Sequence, residues 1–445
     1  MKQESGIDCE PRSPSAYRIG LWFLASLICL VAVSNAQDPS ADDQKRVAVV
    51  DTTTLTGKIM CGYQGWFNCP SDGADLGWTH WARHNGPTMG PGSATVDLWP
   101  DISQYDADEL YPTKFQLPDG SAAKVFSSYN RKTVRRHFEW MREYGIDGVF
   151  LQRFANGLQG KKTLHHKDVV LESVRLSAKQ TGRTFALMYD LSGLRAGTVD
   201  WVREDWLQLQ KSREVTSDGS YLHHNGKPLV AIWGVGFNDD RAYSVAECLE
   251  LVKFFTRSNC AVMLGVPTGW RTQNRDAVND PMLIEIIKLA DVVSPWTVGR
   301  YRNPEEATAH GQKVWEPDQL WCDENKIDFL PVVFPGFSWH NLKGAKLDAI
   351  PRRKGQFLWS QFIAAKQSGC DMIYVAMFDE VDEATAIFKC TNDPPVGEGV
   401  SFLTYEGLPS DFYLRLTGLG GQLLRDEIKA SESIPMKTNH HAMQN

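Results

Sequence analysis

The stretch "TVRRHFEWMREYGIDGVFLQRF" (residues 133–154) joins a helical pattern directly to a strand pattern. Val134, Phe138 and Met141 recur with the spacing of one helix face, and a glycine ends the pattern. Residues 148–154 then form a nearly unbroken apolar run. Parallel strands that are covered on both faces have this composition. The stretch therefore predicts a helix that leads the chain into a buried parallel strand.

The same alternation of helical and apolar segments extends along most of the chain. A second helical pattern spans residues 168–182, with Asp168 as its candidate N-cap and Gly182 as its candidate C-cap. Short apolar, β-branched or aromatic runs occur at residues 58–67, 148–154, 185–193, 229–237, 261–269, 291–299, 329–337 and 371–380. Eight such runs separated by helices predict an α/β fold, a (β/α)8 TIM barrel. A doubly wound open sheet is the alternative, but the chain has neither a G-x-G-x-x-G motif nor a P-loop.

We expect a single catalytic domain over residues 57–430, with a long loop after the first strand. That connection, residues 68–132, lacks helical periodicity and is rich in Trp, Gly, Pro and Asp. An insertion at the carboxyl end of a barrel strand would lie over the active-site mouth. The flanking segments are a predicted signal peptide (residues 1–36), a polar linker (37–56) and a disordered tail (431–445).

The predicted signal peptide has the usual order of segments. An apolar run at residues 19–33 follows Arg18 and precedes small residues at 34–36. About fifteen apolar residues are short for a membrane-spanning helix. We therefore predict cleavage after Ala36 and a secreted or periplasmic protein. An uncleaved membrane anchor is the alternative.

Composition narrows the classes of partner. The chain has 445 residues, 42% hydrophobic and 23% charged, which is typical of a soluble globular protein. Its net charge of −7 argues against nucleic acid as a partner, since phosphate binding needs a basic face. Seven of the nine cysteines follow the predicted cleavage site, none with the spacing of a metal site, and Cys61 and Cys69 could close a small disulfide loop. We expect a monomer without cofactor or metal.

Polar and aromatic residues cluster where the predicted strands end. The carboxyl ends of barrel strands meet at one mouth, so we expect these residues to line a shared cleft. Carboxylates hydrogen-bond sugar hydroxyls, and flat aromatic rings pack on the apolar face of a pyranose. The predicted substrate-binding residues are Tyr63, Gln64, Trp66, Gln152, Arg153, Asp190, Trp296, Trp339, His340, Asp379 and Asp382 at strand ends, with Trp78, His80 and Trp81 in the long first loop.

Some of these residues have structural interpretations as well. The alternatives are packing within the barrel for Trp66 and Trp296, a hydrogen bond to a loop carbonyl for His340, and an ion pair with Asp190 or Glu143 for Arg153.

The stretch "MFDEVDEATAIF" (residues 377–388) places four carboxyl groups within five positions at the end of an apolar run. Glycoside hydrolysis commonly needs two carboxyl groups, a proton donor and a nucleophile or base. Crowding and burial raise the pKa of some carboxyls and leave others low, which separates the acid from the base. We therefore predict that this cluster is catalytic. The alternatives are a solvated acidic turn and a cation site formed by Asp379, Asp382 and Asp190.

Short motifs in a consistent order carry a resemblance to a known family. "GYQGWF" (62–67), "GWTHW" (77–81) and "YGIDGVFLQRF" (144–154), followed by an acidic strand end, resemble glycoside hydrolase family 99, the endo-α-mannosidases and endo-α-mannanases. They are also similar to family 71-like bacterial proteins labelled xylosidase/arabinosidase. The resemblance covers most of residues 57–390 and implies a barrel that acts on carbohydrate.

The resemblance also implies roles for the acidic cluster. The family ends its last strand with Asn-Glu-Trp-His-Glu, and this chain has Asp379-Glu380-Val381-Asp382-Glu383 at the matching positions. In the family the reaction retains configuration and is thought to pass through a 1,2-anhydro sugar. Glu380 would then assist deprotonation of the sugar 2-hydroxyl, and Glu383 would be the acid/base for the departing oxygen. An α-linked, mannan-like saccharide is the expected substrate.

Three positions of the motif differ from the family. Asp379, Val381 and Asp382 replace its Asn, Trp and His. The change removes an aromatic ring and adds negative charge. Two alternatives follow: a catalytically inert carbohydrate-binding barrel, or xylosidase/arabinosidase-type activity.

Overall fold

Parallel strands form a closed barrel at the centre of the protein. The structure is a computed structural model that describes residues 49–436. Its strands are β1 (Ile59–Tyr63), β2 (Leu110–Gln116), β3 (Ala122–Phe126), β4 (Gly148–Phe154), β5 (Thr184–Asp190), β6 (His223–His224), β7 (Lys227–Trp233), β8 (Ala261–Pro267), β9 (Val292–Trp296), β10 (Asp328–Phe329), β11 (Val332–Val333) and β12 (Ile373–Val375).

The barrel strands are neighbours in the order β10-β9-β8-β7-β5-β4-β1-β12-β11, and every pair along this path is parallel. Strands β10 and β11 are two halves of one strand, interrupted at Leu330 and Pro331. The Leu330 N–H donates to Val293 of β9 at 2.9 Å, and the Pro331 carbonyl accepts from Tyr374 of β12 at 3.0 Å. The interrupted strand formed by β10 and β11 thus bonds to both neighbours, β9 and β12, and closes the barrel. The predicted (β/α)8 barrel and all eight predicted strands are confirmed.

Helices follow the strands and cover the barrel. They are α1 (Arg131–Glu143), α2 (Lys161–Thr181), α3 (Asp200–Arg213), α4 (Val245–Arg257), α5 (Pro281–Ile287), α6 (Pro304–His310), α7 (Glu316–Asn325), α8 (His340–Lys343), α9 (Gln356–Gln367) and α10 (Phe412–Leu424). A π-helical turn, Gly311–Trp315, joins α6 to α7.

The two helices expected from sequence are present. In α1 the predicted apolar face, Val134, Phe138 and Met141, is buried. In α2 the predicted C-cap, Gly182, adopts φ 65°, a left-handed conformation that suits glycine. The predicted N-cap, Asp168, is wrong, because the helix begins seven positions earlier in the chain, at Lys161.

The long first connection contains no α-helix before α1 begins at Arg131, as its composition indicates, but it is not irregular throughout. Strands β2 and β3 pair as an antiparallel hairpin within it. The predicted linker reaches the barrel before β1 begins: Val50 donates to the Gly182 carbonyl at 2.8 Å, and Leu55 is fully buried. The predicted signal peptide lies outside the described residues, as does most of the tail.

Two further predictions concern membranes and cysteines. Within residues 49–436, no helix is long and apolar enough to cross a bilayer. All seven cysteines of this part of the chain are buried and free, so the disulfide considered between Cys61 and Cys69 is not formed.

Candidate active site

A cavity of about 390 Å³ opens at the carboxyl ends of the barrel strands. Eight of the residues predicted from sequence line it: Gln64, Trp66, Gln152, Asp190, Trp296, Trp339, Glu380 and Glu383. Arg300, which also follows a predicted strand, lines it as well. Nine further lining residues were not predicted: Phe154, Ser192, Trp233, Phe237, Asp239, Arg241, Val298, Phe337 and Met377.

Successive side chains of a strand point to opposite faces, and this alternation decides which predicted residues reach the cavity. On β4, Gln152 faces the barrel interior, where its amide donates to the Tyr374 hydroxyl at 3.0 Å. The next side chain, Arg153, must point to the other face of the strand. There it contacts the helical layer, with its guanidinium 2.6 Å from Asp205 of α3 and 2.8 Å from Asp168 of α2. The interpretation of Arg153 as a structural ion pair is therefore correct, but with different partners from those expected.

The same rule moves Tyr63 out of the predicted site. A side chain at its neighbour Gly62 would meet Met377 and the Tyr374 hydroxyl inside the barrel, so position 62 faces inward. Tyr63 therefore faces α1, where its hydroxyl hydrogen-bonds His137 Nδ1 at 2.9 Å. It is fully buried and does not contact the cavity.

Three more predicted binding residues lie elsewhere. Trp78 and Trp81 are buried in the core of the first loop, where the Trp81 indole donates to the Phe126 carbonyl at 3.1 Å. His340 hydrogen-bonds the Ala345 carbonyl at 2.9 Å, which is the loop interaction considered as its alternative. These three residues hold loops together and do not line the cavity.

Glu380 is held rigidly at the base of the cavity. Its carboxyl accepts hydrogen bonds from Gln64 Nε2 at 2.8 Å and from the Thr385 hydroxyl at 2.9 Å. Only 4% of the residue is exposed. Burial, followed by the charges of Glu383 and Asp382, raises the pKa of Glu380 well above its usual range.

Glu383 lies in the same cavity and interacts electrostatically with Glu380. Burial is the main cause that raises its pKa to about 7, and the charge of Asp382 adds to the effect. A hydrogen bond from Trp339 and the charge of Lys343 act in the opposite direction. Near neutral pH the pair can therefore hold a proton next to a charge, which acid–base chemistry requires.

Asp379 is a support of the site and has no contact with the cavity. It is fully buried, and its two carboxylate oxygens accept backbone N–H groups from Gln64 at 2.8 Å and Gly65 at 2.9 Å. Burial raises the pKa of Asp379 to about 7, against the effect of these two bonds. The residue therefore connects the end of β12 to the turn after β1.

Asp382 likewise acts through a neighbour. Its carboxylate accepts a hydrogen bond from His80 Nδ1 at 2.9 Å. The His80 ring stacks on Trp66, with centroids 3.6 Å apart and planes within 5° of each other. His80 and Asp382 do not line the cavity, whereas Trp66 does. The first loop thus uses one histidine to fasten a cavity wall to the acidic strand end.

One wall of the cavity, which the sequence did not predict, follows β7. Trp233 and Phe237 pack against Arg241, whose guanidinium carbon is 5.1 Å and 4.6 Å from the two ring centroids. Asp239 pairs with the same guanidinium at 2.8 Å. The apolar run at residues 229–237 predicts this strand. Trp233, where the strand ends, is the signal in the sequence that could have indicated a cavity wall here.

One buried residue, Asp97, joins three connections around the mouth through its carboxylate and its backbone. Asp97, in the long first connection, accepts the N–H groups of His340 and Asn341 at the start of α8, both at 2.7 Å. Its own N–H donates to Val381 at 2.9 Å, and its carbonyl accepts from Leu403 at 2.7 Å. The connections after β1, β11 and β12 are therefore joined at a single residue.

The cation site considered for the acidic cluster is not formed. Asp379 bonds to backbone N–H groups, Asp382 bonds to His80, and Asp190 accepts from the Ser192 N–H at 2.7 Å. Across residues 49–436, no group of three or more His, Cys, Asp or Glu is arranged to hold a metal ion.

A parallel barrel with two interacting carboxyls at its mouth is the arrangement that glycosidases use. An endo-α-mannosidase of glycoside hydrolase family 99 from Bacteroides thetaiotaomicron, in complex with bis-tris-propane, matches this chain with a TM-score of 0.59 and 18% identity, over 84% of this chain and 99% of that one. A second structure of a family 99 endo-α-mannosidase from the same organism gives a TM-score of 0.57 and 17% identity over the same shares. The predicted resemblance to family 99 is thus confirmed for the fold.

Comparisons of sequence identify no relative. No family model matches the chain, and no curated protein gives a significant match.

Proposed function

We propose that the protein is an exported, retaining glycoside hydrolase that cleaves an α-linked, mannan-like poly- or oligosaccharide. The observation that carries the proposal is the pair Glu380 and Glu383, three positions apart, both lining one cavity and both with raised pKa. Most glycoside hydrolases use two carboxyls in one cavity to cleave the glycosidic bond.

The surroundings of the two carboxyls suit different roles. Glu380 receives two hydrogen bonds, from Gln64 and Thr385, which orient its carboxyl group. The Thr385 bond lowers the pKa of Glu380, but burial and the charge of Glu383 outweigh it, so the role of Glu380 rests on its match to the first Glu of the family 99 motif. We assign to it the removal of the proton from the sugar 2-hydroxyl. Glu383 has a pKa of about 7 and is partly exposed to the cavity, so we assign to it proton donation to the departing oxygen.

Four indole rings on the cavity wall support a carbohydrate substrate. Trp66, Trp233, Trp296 and Trp339 all line it, and Trp339 is 37% exposed at the rim. Tryptophan combines a large apolar face with a hydrogen-bonding edge, which matches the two faces of a pyranose ring. The choice of an α-mannan-like substrate rests on the resemblance to family 99 endo-α-mannosidases.

Export is proposed from the sequence alone. The apolar run at residues 19–33 and the small residues at 34–36 have the order of a cleavable signal peptide. Labelled protein recovered outside the cytoplasm with residue 37 as its new N-terminus would support this part of the proposal. A chain that kept residues 1–36 would contradict it.

The test is hydrolysis of α-mannan, with xylan- and arabinan-type glycans as comparison substrates and products identified by chromatography. Glu380→Gln and Glu383→Gln should each lower turnover by roughly 10²–10⁴-fold. Glu250→Gln, on the exposed face of α4, is the matched control and should keep full activity. The anomeric configuration of the first product, followed by NMR, reports retention.

The outcomes separate the alternatives. Near wild-type activity in both cavity variants would refute the assignment of the pair. Cleavage of xylan- or arabinan-type glycans alone would replace the mannan substrate. Tight glycan binding without any cleavage would replace the hydrolase with a carbohydrate-binding barrel.

A further inference from the structure

A second cavity, also of about 390 Å³, lies beside the proposed active site. It is an open cleft lined by the first loop, the start of α2 and the segments after β4 and β5, and we call it the α2 cavity. Trp66, Phe154 and Ser192 line both cavities, so they form a common wall. A saccharide that occupies the active-site cavity could therefore extend past Trp66 and Phe154 into the α2 cavity.

The α2 cavity contains a cation without a counter-ion. Lys167 lines it, with its ammonium group 5.8 Å from the centre of the Phe154 ring. The end of this side chain passes over Gly157, where an added Cβ would lie 3.0 Å from Lys167 Cε. Across residues 49–436, no carboxylate forms an ion pair with Lys167.

The acidic groups nearest to Lys167 are already engaged. Asp205 holds Arg153 at 2.6 Å. Asp190 is bonded to the Ser192 N–H at 2.7 Å. Burial and the like charge of Arg153 lower the pKa of Lys167 to about 8, so the ammonium group is still charged at neutral pH. This ammonium group is half-buried, and an anion that enters the cavity can form a charge-assisted hydrogen bond with it.

The rest of the α2 cavity lining supplies no carboxylate that would repel an anion or pair with Lys167. No Asp or Glu lines the cavity. His166 accepts or donates hydrogen bonds within the protein, to Asn68 at 3.1 Å and to the Gly65 carbonyl at 2.9 Å. Burial lowers its pKa to about 4, which keeps it neutral.

The active-site cavity has the opposite character. Its two arginines are each paired, Arg241 with Asp239 at 2.8 Å and Arg300 with Asp276 at 2.7 Å. It also contains Glu380 and Glu383. An anionic group on the substrate is therefore repelled in the active-site cavity and attracted by Lys167 in the α2 cavity.

Resting on the proposed hydrolase function, we propose that the α2 cavity is a subsite for a sugar unit that carries an anionic group. The ring of that unit packs against Trp66 and Phe154. Its phosphate, sulfate or carboxylate group pairs with Lys167. The preferred substrate is then an acidic glycan, and the charged unit lies next to the unit that is cleaved.

The test is calorimetric titration at neutral pH with mannose, mannose 6-phosphate, mannose 6-sulfate and glucuronate, and with inorganic phosphate alone. At least one charged sugar should bind about tenfold more tightly than mannose, the gain of one charge-assisted hydrogen bond. Lys167→Met should reduce that affinity to the level of mannose, and Lys167→Arg should preserve the preference. Lys179→Met, on the last turn of α2, is the matched control and should behave as wild type.

Three results would overturn the proposal: no preference for any charged sugar, a preference that survives Lys167→Met, or inorganic phosphate binding as tightly as the best sugar. Wild-type protein gives a check that needs no variant, since rising salt should weaken binding of the charged sugars and leave mannose unaffected. These measurements need no turnover. A protein that binds charged sugars through Lys167 but cleaves no glycan would refute the proposed hydrolase and leave the subsite intact.

Discussion

Asp382 shows how one side chain can set the behaviour of its neighbour without contacting the substrate. Its carboxylate is 2% exposed and hydrogen-bonded to His80. Its negative charge is the second largest cause, after burial, of the raised pKa of Glu383. The position where family 99 has a histidine therefore becomes, in this chain, a device that keeps the adjacent acid protonated.

The pH profile should report this effect. Proton donation needs the protonated form of Glu383, whose pKa is about 7, so kcat/KM should fall by about tenfold per pH unit above that value. Asp382→Asn removes a like charge, lowers the pKa of Glu383 and should move the falling limb to lower pH. The measurement is kcat/KM for α-mannan hydrolysis between pH 5 and 9.

The pH-profile experiment has a matched control variant and an outcome that would contradict the prediction. Asp393→Asn removes an exposed carboxyl nearby in the chain and should leave the profile unchanged. If Asp382→Asn lowered activity equally at every pH without moving the limb, Asp382 would be a packing residue only.

At the scale of the secondary-structure element, β4 separates chemistry from stability by alternation. Gln152 faces the cavity, and Arg153 faces α2 and α3. Arg153 is 2% exposed and bonded to two carboxylates. It joins the strand to both helices, so we expect it to matter for folding.

Arg153→Met should lower the free energy of unfolding by about 3–5 kcal/mol, because it leaves Asp205 buried without its partner. Arg135→Met removes the exposed Arg135–Glu139 pair on α1 and should cost at most about 1 kcal/mol. Denaturant unfolding of the two variants measures the difference. A cost below 1 kcal/mol for Arg153→Met would contradict the structural role.

These elements also explain what could be predicted from sequence. Buried parallel strands are apolar on both faces, so all eight were visible as runs, and the predicted barrel followed from them. The same uniformity hides which side chains face inward, and Tyr63 and Arg153 were therefore placed in the cavity. The contact of His80 with Asp382, which are 302 positions apart, depends on how the first loop folds back. No local pattern encodes it.

At the scale of the whole molecule, the fold is held by packing without disulfides in the described region. The seven cysteines between residues 49 and 436 are free and buried. Burial raises the pKa of Cys248, Cys260 and Cys390 to about 12, which suppresses the reactive thiolate. Oxidation state should therefore have little influence on stability.

The melting temperature should be the same with and without reducing agent. A thiol reagent at pH 7.5 should find these seven cysteines slow to react in the native protein and fast to react in guanidinium. The measurement is the number of thiols that react in the native protein and in the unfolded protein. Protein that begins at residue 37 is used, so that Cys9 and Cys29 do not contribute to either number. A reductant-dependent fall in melting temperature would indicate a disulfide and contradict the free state.

The shared anchor at Asp97 limits how this barrel can be re-engineered. Exchanging the first connection for that of another barrel would release α8 and the segment after β12 at the same moment. Both are bonded to Asp97, α8 through the carboxylate and the segment after β12 through the backbone N–H and carbonyl. A graft that alters the glycan preference must therefore carry the three segments together. Single replacements on cavity-facing side chains leave the fastening intact, and they offer the shorter route to a new specificity.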